Sequence, residues 1–302
     1  MAQKVAGSNP VTHPVISFRR WTVPLSLKQE NLIPRIEFLF QSLFRGQASC
    51  VHCLSNNTQV VVRKYLTLKI RKCSNCHLFF TDPIYRPFIS SNLYETLYRG
   101  GAVTNIPAPQ ILEELKKGNF SGVGKDFSLQ LNLIRNLLRG NSLLEIGSSW
   151  GYFLYQAHKF FSDVDGIEIS EKRRVYANEF LGTRTHSSFS DLNHKSYDGI
   201  FSYHTLEHFT DLRTIFSDIF LSLKEGGKLF VEVPNFDFDQ FGASRLNIIG
   251  AVHPLGFSSR FFKQNLPRYG FKNVQVYESW DKVPDRPVDY SASEVIVVLA
   301  EK

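Results

Sequence analysis

The sequence contains no run of about 18 apolar residues, the length that a membrane-crossing helix needs, so no membrane insertion is expected. Its opening stretch, MAQKVAGSNPVTHPV, lacks the apolar segment of a secretory signal, and the expected location is the cytoplasm. Cysteine is scarce, with 4 in 302 residues, which excludes the disulfide-dense scaffold of small secreted proteins. No internal repeat or low-complexity segment is present, so a repeat architecture is excluded. No serine or cysteine nucleophile stands beside a recognisable base, and chemistry through a covalent enzyme intermediate is not indicated.

What is present suits a large core. Hydrophobic residues make up 43% of the chain, with 26 Phe and 12 Tyr, enough for one large α/β domain and a small accessory one. The formal net charge of +7 is unevenly spread. Residues 1–140 hold 18 Lys and Arg against 7 Asp and Glu, whereas residues 141–302 hold 17 against 21. The first half would therefore meet an acidic partner or substrate, or it is simply a solvated basic face.

The most informative stretch is SLLEIGSSWGYF, residues 142–153. A short apolar run ends at Gly147, and Gly151 follows where a helical pattern through Tyr152, Phe153, Ala157 and Phe160 begins. Strand, tight turn and helix follow in order. Glycines there let the backbone take positive φ and approach a ligand, while a helix start offers free N–H groups. A purely structural βα turn would read the same way. The run VDGIE then ends in Glu168, about 20 residues on, the spacing at which an acid accepts hydrogen bonds from ribose hydroxyls. The runs YDGIFSY (197–203) and LKEGGKLFVEVPNFD (223–237) continue the alternation.

LLEIGSSWGYF, DGIFSYHTLEHF and LKEGGKLFVEVPNFD, in that order and spacing, resemble the class I S-adenosylmethionine-dependent methyltransferases over roughly residues 126–300. The resemblance implies an α/β, Rossmann-like sheet of seven strands with the last antiparallel to the others. These enzymes usually carry glycine where this chain has Ser149, which is expected to hold an ordinary φ. A nicotinamide-binding unit, the alternative for such a turn, would want G-x-G-x-x-G, and the chain has Gly147, Ser149 and Gly151 instead. The resemblance further implies that Glu145, Gly147, Ser148 and Gly151 surround the methionine moiety of the cofactor and that Glu168 holds its ribose. Ser188 and Phe189 stand where the family contacts adenine, and Tyr203, ending the YDGIFSY run, completes the cofactor set.

The cysteines fall at Cys50, Cys53, Cys73 and Cys76, a C-x2-C pair, 19 residues, and a second C-x2-C pair. This spacing places four thiolates around a structural zinc ion, with Val60–Val62 and Tyr65–Ile70 as strands of a ribbon. Two disulfides are the rival arrangement, and His52 and His77 beside the pairs are competing ligands. A four-thiolate site has no open position for substrate. RKCSNCHLFFTDP (71–83) resembles the ribbon fused ahead of the methyltransferase domain in bacterial sugar and small-molecule methyltransferases, where it helps enclose the acceptor. The expected layout is an N-terminal arm and helix over 1–48, a zinc ribbon over 49–83, a linker or lid over 84–125, and the methyltransferase domain over 126–302. Within these, residues 31–43 have helical spacing, Tyr94 and Tyr98 stand one helical turn apart as lid or packing residues, and Phe127, Leu131, Ile134 and Leu138 form one stripe of a helix over 126–138.

After the fourth strand comes His204-Thr205-Leu206-Glu207-His208, and His253 lies in the long stretch 235–258, read as part of the acceptor wall. On a helix, residues 204, 207 and 208 share one face at the carboxyl end of the sheet. Three roles stand open. His208 or His253 acts as general base toward an acceptor hydroxyl with Glu207 orienting it; or His204, Glu207, His208 and His253 bind a divalent metal; or Glu207 and His208 merely support the loop. Small-RNA 2′-O-methyltransferases have a similar cluster, with glutamate where this chain has His204. The sequence thus points to methyl transfer from S-adenosylmethionine to an oxygen, or a carbon, of a sugar or other small polar acceptor, nucleotide-linked in the version that explains the basic half. An RNA methyltransferase and an inactive ribbon-bearing interaction module are the alternatives.

Overall fold

The structure is a computed structural model and describes residues 49–64, 68–84, 106–237, 246, 248–250 and 253–302. The arm and helix expected over 1–48, and Tyr94 and Tyr98, lie outside the described residues. In chain order the strands are β1 (Thr58–Lys64), β2 (Leu68–Cys73), β3 (Phe79–Asp82), β4 (Ser142–Ile146), β5 (Asp163–Ile167), β6 (Thr185–His186), β7 (Tyr197–Tyr203), β8 (Leu223–Pro234), β9 (Leu255–Gly256), β10 (Lys272–Tyr277) and β11 (Val295–Glu301). The helices are α1 (Pro109–Lys117), α2 (Ser128–Leu137), α3 (Tyr152–Ala157), α4 (Glu171–Leu181), α5 (Leu212–Leu221) and α6 (Ser259–Asn265).

The main sheet has seven strands in the order β10-β11-β8-β7-β4-β5-β6. β4 pairs in parallel with β5 and β7, β5 with β6, and β7 with β8, while β11 runs antiparallel to both of its neighbours. This is the Rossmann-like methyltransferase sheet that the motifs implied. β4 reads SLLEI and is buried along its whole length, as a central parallel strand covered on both faces must be. Its side chains alternate: Leu144 and Ile146 join one core cluster, and Leu143 joins the other. The stripe Phe127, Leu131, Ile134 and Leu138 of α2 is buried against the second face, which at roughly 2 kcal/mol per side chain anchors the helix over β4. The chain order turns back at β4, whose two neighbours are β5 on one side and β7 on the other, and doubly wound sheets bind ligands in the crevice above such a point.

A second, four-stranded antiparallel sheet has the order β1-β2-β3-β9. Its last strand comes from the stretch after β8, so the ribbon is continued by a strand nearly two hundred positions away in sequence; Phe79 pairs with Gly256 and Phe80 with Leu255. β2 begins at Leu68, and residues 65–67 lie outside the described residues. Ile70 and Phe79 of the ribbon pack with Phe236, Leu246 and Ile249 in a small core of their own.

The amino ends of the central strands are tied by one carboxylate. Asp198 at the start of β7 accepts from the Asn141 amide at 2.9 Å, the Ser142 amide at 3.0 Å and Lys224 Nζ at 2.9 Å, and from the Ser142 hydroxyl. Burial alone would raise its pKa, but the Ser142 and Lys224 donors outweigh it and hold Asp198 at about 2. Because the folded value lies below an unfolded value of about 3.9, the bonds stabilise fully above pH ~4 and are lost as pH falls toward 2, a contribution of about 2 kcal/mol. Urea unfolding at pH 7, 4 and 2.5 checks this. In Asp198→Asn the loss of stability between pH 5 and 2.5 is expected to shrink by about that amount.

Candidate active site

The four cysteines meet at one point between the ribbon and the main domain. Their sulfurs all lie within 4.8 Å of one another, with Cys50 to Cys76 and Cys53 to Cys73 each at 3.5 Å. A disulfide needs about 2.05 Å, so no pair is bonded. A tetrahedron with arms of about 2.3 Å has edges near 3.8 Å, which these sulfurs match, so the donor set fits zinc. The two C-x2-C turns are built alike: the residue after each second cysteine, Leu54 and His77, takes a left-handed φ of 60° and 62°, and its N–H donates at 3.0 Å to the first cysteine's carbonyl. Of the two neighbouring histidines, His52 has another partner. His52 is buried with Nε2 at 2.8 Å from the Tyr269 hydroxyl, and burial drops its pKa to about 4; the His77 carbonyl accepts from Ser258. The His52 ring and the His77 carbonyl both help dock the ribbon, against the turn after α6 and the start of α6.

At the carboxyl end of β4 the Gly147 and Ser148 amides donate to the Ile167 carbonyl at 2.8 and 3.0 Å, which closes the turn. Gly147 has φ 80°, and a Cβ there would stand 2.2 Å from the Thr205 hydroxyl, so this glycine makes room for the HTLEH loop. Ser149 departs from expectation. Its φ is 51°, left-handed, a conformation that costs a non-glycine residue about 1 kcal/mol. Two bonds hold it there: its amide donates to Glu168 Oε2 at 2.9 Å, and its hydroxyl accepts from Arg173. Glu168 also accepts the Ser170 amide at 2.8 Å through its other oxygen.

Around this turn lie four ionisable groups taken out of water. Glu145 is fully enclosed, and burial, then the nearby Glu168, push its pKa well up against the pull of Lys125. Burial likewise raises Glu168, with the Ser170 amide and Arg173 opposing, and burial lowers Lys125. Arg173, on α4, is 3% exposed, and Lys125 lies 5.2 Å over the Tyr152 ring. Glu145 Oε2, the Ser148 hydroxyl and Trp150 Nε1 are buried without a hydrogen-bond partner. Two acids, two cations and unmatched polar atoms in one enclosed place fit a zwitterionic amino-acid moiety, as the methionine end of S-adenosylmethionine is. Lys125 and Arg173 escaped the sequence: Arg173 sits in an EKRR run that reads as a solvated helix face, and Lys125 precedes α2 without a motif. Tyr203 ends β7 with its ring edge-on to Phe127 at 5.0 Å. Ser188 precedes a short turn after β6, its hydroxyl 2.7 Å from that of Ser190, and Phe189 packs against the core.

The HTLEH segment folds differently from the helix its spacing suggested. His204 has φ 47°, and only Leu206–His208 form a single 3-10 turn, so the three side chains do not share a helix face. His204 turns back instead: its Nε2 lies 3.1 Å from Glu232 Oε1, and Glu232 also accepts from the Trp280 indole. Its Nδ1 stands 3.6 Å from Glu207, an ion-pair distance too long for a hydrogen bond. Burial would lower the His204 pKa, but Glu207 and Glu232 outweigh it and raise it to about 9, so the ring is an imidazolium at neutral pH. Glu207 is 1% exposed with neither oxygen hydrogen-bonded. His208 and His253 converge on it, with one ligand atom from each of the three within 4.8 Å of the others and the two rings 4.6 Å apart. Burial lowers His253 to about 4. The structure thus gathers Glu207, His208 and His253, and pairs His204 with Glu232.

A family described as a methyltransferase domain matches residues 125–276, half of the chain. The chain belongs to that family. It is a class I S-adenosylmethionine-dependent methyltransferase. No curated protein matches its sequence. Among solved structures, phosphoethanolamine N-methyltransferase 2 of Haemonchus contortus in complex with S-adenosyl-L-methionine is similar at 15% identity and a TM-score of 0.44, over 54% of this chain and 49% of that one. The methyltransferase therefore spans about half the length of that protein. A possible histamine N-methyltransferase from Thermotoga maritima is 18% identical over 64% and 97% of the two chains, with a TM-score of 0.45. A TehB-like S-adenosylmethionine-dependent methyltransferase from Corynebacterium glutamicum is 20% identical over 72% and 100%, with a TM-score of 0.44. None of these likenesses bears on the methyl acceptor.

The left-handed serine gives the methyltransferase a checkable signature. Ser149→Ala keeps the strain and removes Arg173's acceptor, and chemical denaturation is expected to give a loss of about 1–3 kcal/mol. Ser149→Gly also loses the acceptor but relieves the backbone, and should be about 1 kcal/mol more stable than the alanine variant.

Proposed function

We propose that this methyltransferase acts on a hydroxyl oxygen, or a carbon, of a sugar or other small polar acceptor. S-adenosylmethionine supplies the methyl group on a sulfonium, which leaves as a neutral thioether. Glu145 and Ser148 receive the ammonium of its methionine end, Lys125 and Arg173 its carboxylate, and Glu168 the ribose, for which it must exchange its bonds to Ser149 and Ser170. Gly147 and Gly151 keep the turn open to the ligand, while Ser188 and Phe189 flank adenine and Tyr203 closes the site toward the sheet. The observation that carries the acceptor end is Glu207, a buried carboxylate without a hydrogen bond, facing His208 and His253 above the carboxyl end of β7. A proton must leave the acceptor as the methyl arrives, and this is the cluster in the crevice able to draw it off.

The four cysteines hold one structural zinc ion. The layout proposed is the ribbon over 49–83, a connection over 84–125 and the catalytic domain over 126–302, with the stretch 235–258 as acceptor wall. Of that wall, residues 238–245, 247, 251 and 252 lie outside the described residues. No described helix is long and apolar enough to cross a membrane. Lys64 bonds the Ile249 carbonyl, Arg71 pairs with Asp82, and Lys72 lies over Phe79, so three strand cations are engaged within the protein, which weighs against RNA as the acceptor.

Transfer of labelled methyl from S-adenosylmethionine into a glycan and small-molecule extract, set beside a total RNA extract, tests the acceptor class. Label is expected in nuclease-resistant material and is expected to disappear in His208→Ala and His253→Ala; label in nuclease-sensitive material would replace the sugar with RNA. A second outcome concerns the ribbon, which pairs with the segment carrying His253. Cys73→Ser, or stripping of zinc, should lower turnover at least tenfold while S-adenosylmethionine affinity by calorimetry changes less than threefold, because the turn at 147–151 is held by Ile167, Glu168 and Arg173 of the main domain.

A further inference from the structure

The carboxylate of Glu207 poses an electrostatic question that the protein's own groups answer only in part. An ionised carboxylate taken out of water without hydrogen bonds costs several kcal/mol unless a positive charge accompanies it. His204 offers one, but its closer bond is to Glu232 at 3.1 Å, against 3.6 Å to Glu207. The carboxylate also meets two imidazoles, His208 and His253, both part-exposed. Two histidines and one carboxylate, with one donor atom from each inside 4.8 Å, form the facial set that holds a first-row divalent ion and leaves its remaining positions open. Donor atoms on one ion at ~2.1 Å stand roughly 3.0–3.4 Å apart, a closing that ring rotation supplies. The chain of contacts beside them also has the form of a metal site: Trp280 donates to Glu232, Glu232 bonds His204, and His204 stands 3.6 Å from Glu207.

We infer that Glu207, His208 and His253 bind one divalent transition-metal ion, of the manganese or zinc class, whose open positions take the acceptor oxygen. His204 is not a ligand but the positioning residue of Glu207. This rests on the cluster being the acceptor end of the site, as proposed above, and specifies how it draws off the proton. The ion coordinates the hydroxyl and lowers its pKa, the O–H bond breaks and its proton passes to water. The oxygen's electron pair then forms the O–C bond as the S–C bond breaks, and the pair from that bond stays on sulfur as the thioether. The balance is one acceptor hydroxyl and one sulfonium consumed, and one methyl ether, one thioether and one proton formed.

The test is titration of the purified protein, its ribbon metal in place, with Mn2+ followed by calorimetry and by the electron paramagnetic resonance of free Mn2+. Manganese prefers nitrogen and oxygen donors and leaves thiolates to zinc, so it reports this cluster and not the ribbon. One Mn2+ per chain is expected, weakened at least tenfold in His253→Ala and in Glu207→Gln, which keeps the shape of the side chain, with S-adenosylmethionine affinity unchanged in both. No saturable binding in the wild type, or binding that survives both variants, overturns the ion. Methyl transfer to a sugar that persists in chelator-treated wild type overturns the ion and leaves the acceptor assignment standing. One bound Mn2+ with no transfer to any sugar acceptor supports the ion and removes that assignment.

Discussion

The placement of His253 depends on a short backbone ladder between two distant parts of the chain. β3 of the ribbon pairs with β9 through Phe79 and Gly256 and through Phe80 and Leu255, and just before β9 the Thr81 amide donates to the Pro254 carbonyl at 2.9 Å. His253 is the residue before that proline. A part-exposed histidine on a long stretch would ordinarily sample many positions; here its neighbour is hydrogen-bonded into a sheet whose other end is tied by four sulfurs. Gly256 is needed for the approach, since a Cβ would lie 2.6 Å from Ile249 and 3.0 Å from Phe236. From the other side, Asn265 of α6 donates to the Cys76 carbonyl and Tyr269 meets His52. The ribbon is thus no appended module but the wall against which the segment carrying His253 is set.

The cofactor end follows a different logic, in which charge is held in place by strain. Glu145 and Glu168 are both buried and raise each other's cost of ionisation, and Lys125 and Arg173 compensate. A glycine at position 149 would relax the backbone, but it would leave the Arg173 guanidinium without its hydroxyl acceptor. Serine accepts about 1 kcal/mol of backbone strain and in exchange anchors a buried cation beside two acids. Strain of this kind persists only where surrounding bonds over-determine the conformation, and here the Glu168 and Arg173 bonds do so.

Local periodicity was enough for much of this fold. The glycine turn, the stripe of α2 and the four-cysteine spacing each depend on residues close in sequence, and the seven-stranded sheet with its antiparallel last strand followed from the motif resemblance. What local pattern could not carry were features fixed by partners far along the chain. The left-handed Ser149 is set by Glu168 and Arg173; β9, two residues long, has no propensity signal and exists because β3 lies beside it; His52 looked like a ligand because its partner, Tyr269, stands some two hundred residues on. His204 belongs to the same class, because its partner Glu232 lies on the neighbouring strand.

The error at His204 is also instructive chemically. Had a helix begun there, residues 204, 207 and 208 would crowd one face, and three groups would compete for the same partner. The left-handed φ at 204 reverses the chain at once after β7, sending its ring back along β8 to Glu232 while the 3-10 turn carries Glu207 and His208 forward over the crevice. Gly147, by leaving space for Thr205, is what lets that reversal sit directly above the cofactor turn. One unusual backbone conformation therefore sends His204 to Glu232 on the neighbouring strand and leaves Glu207 with His208 and His253 at the carboxyl end of the sheet.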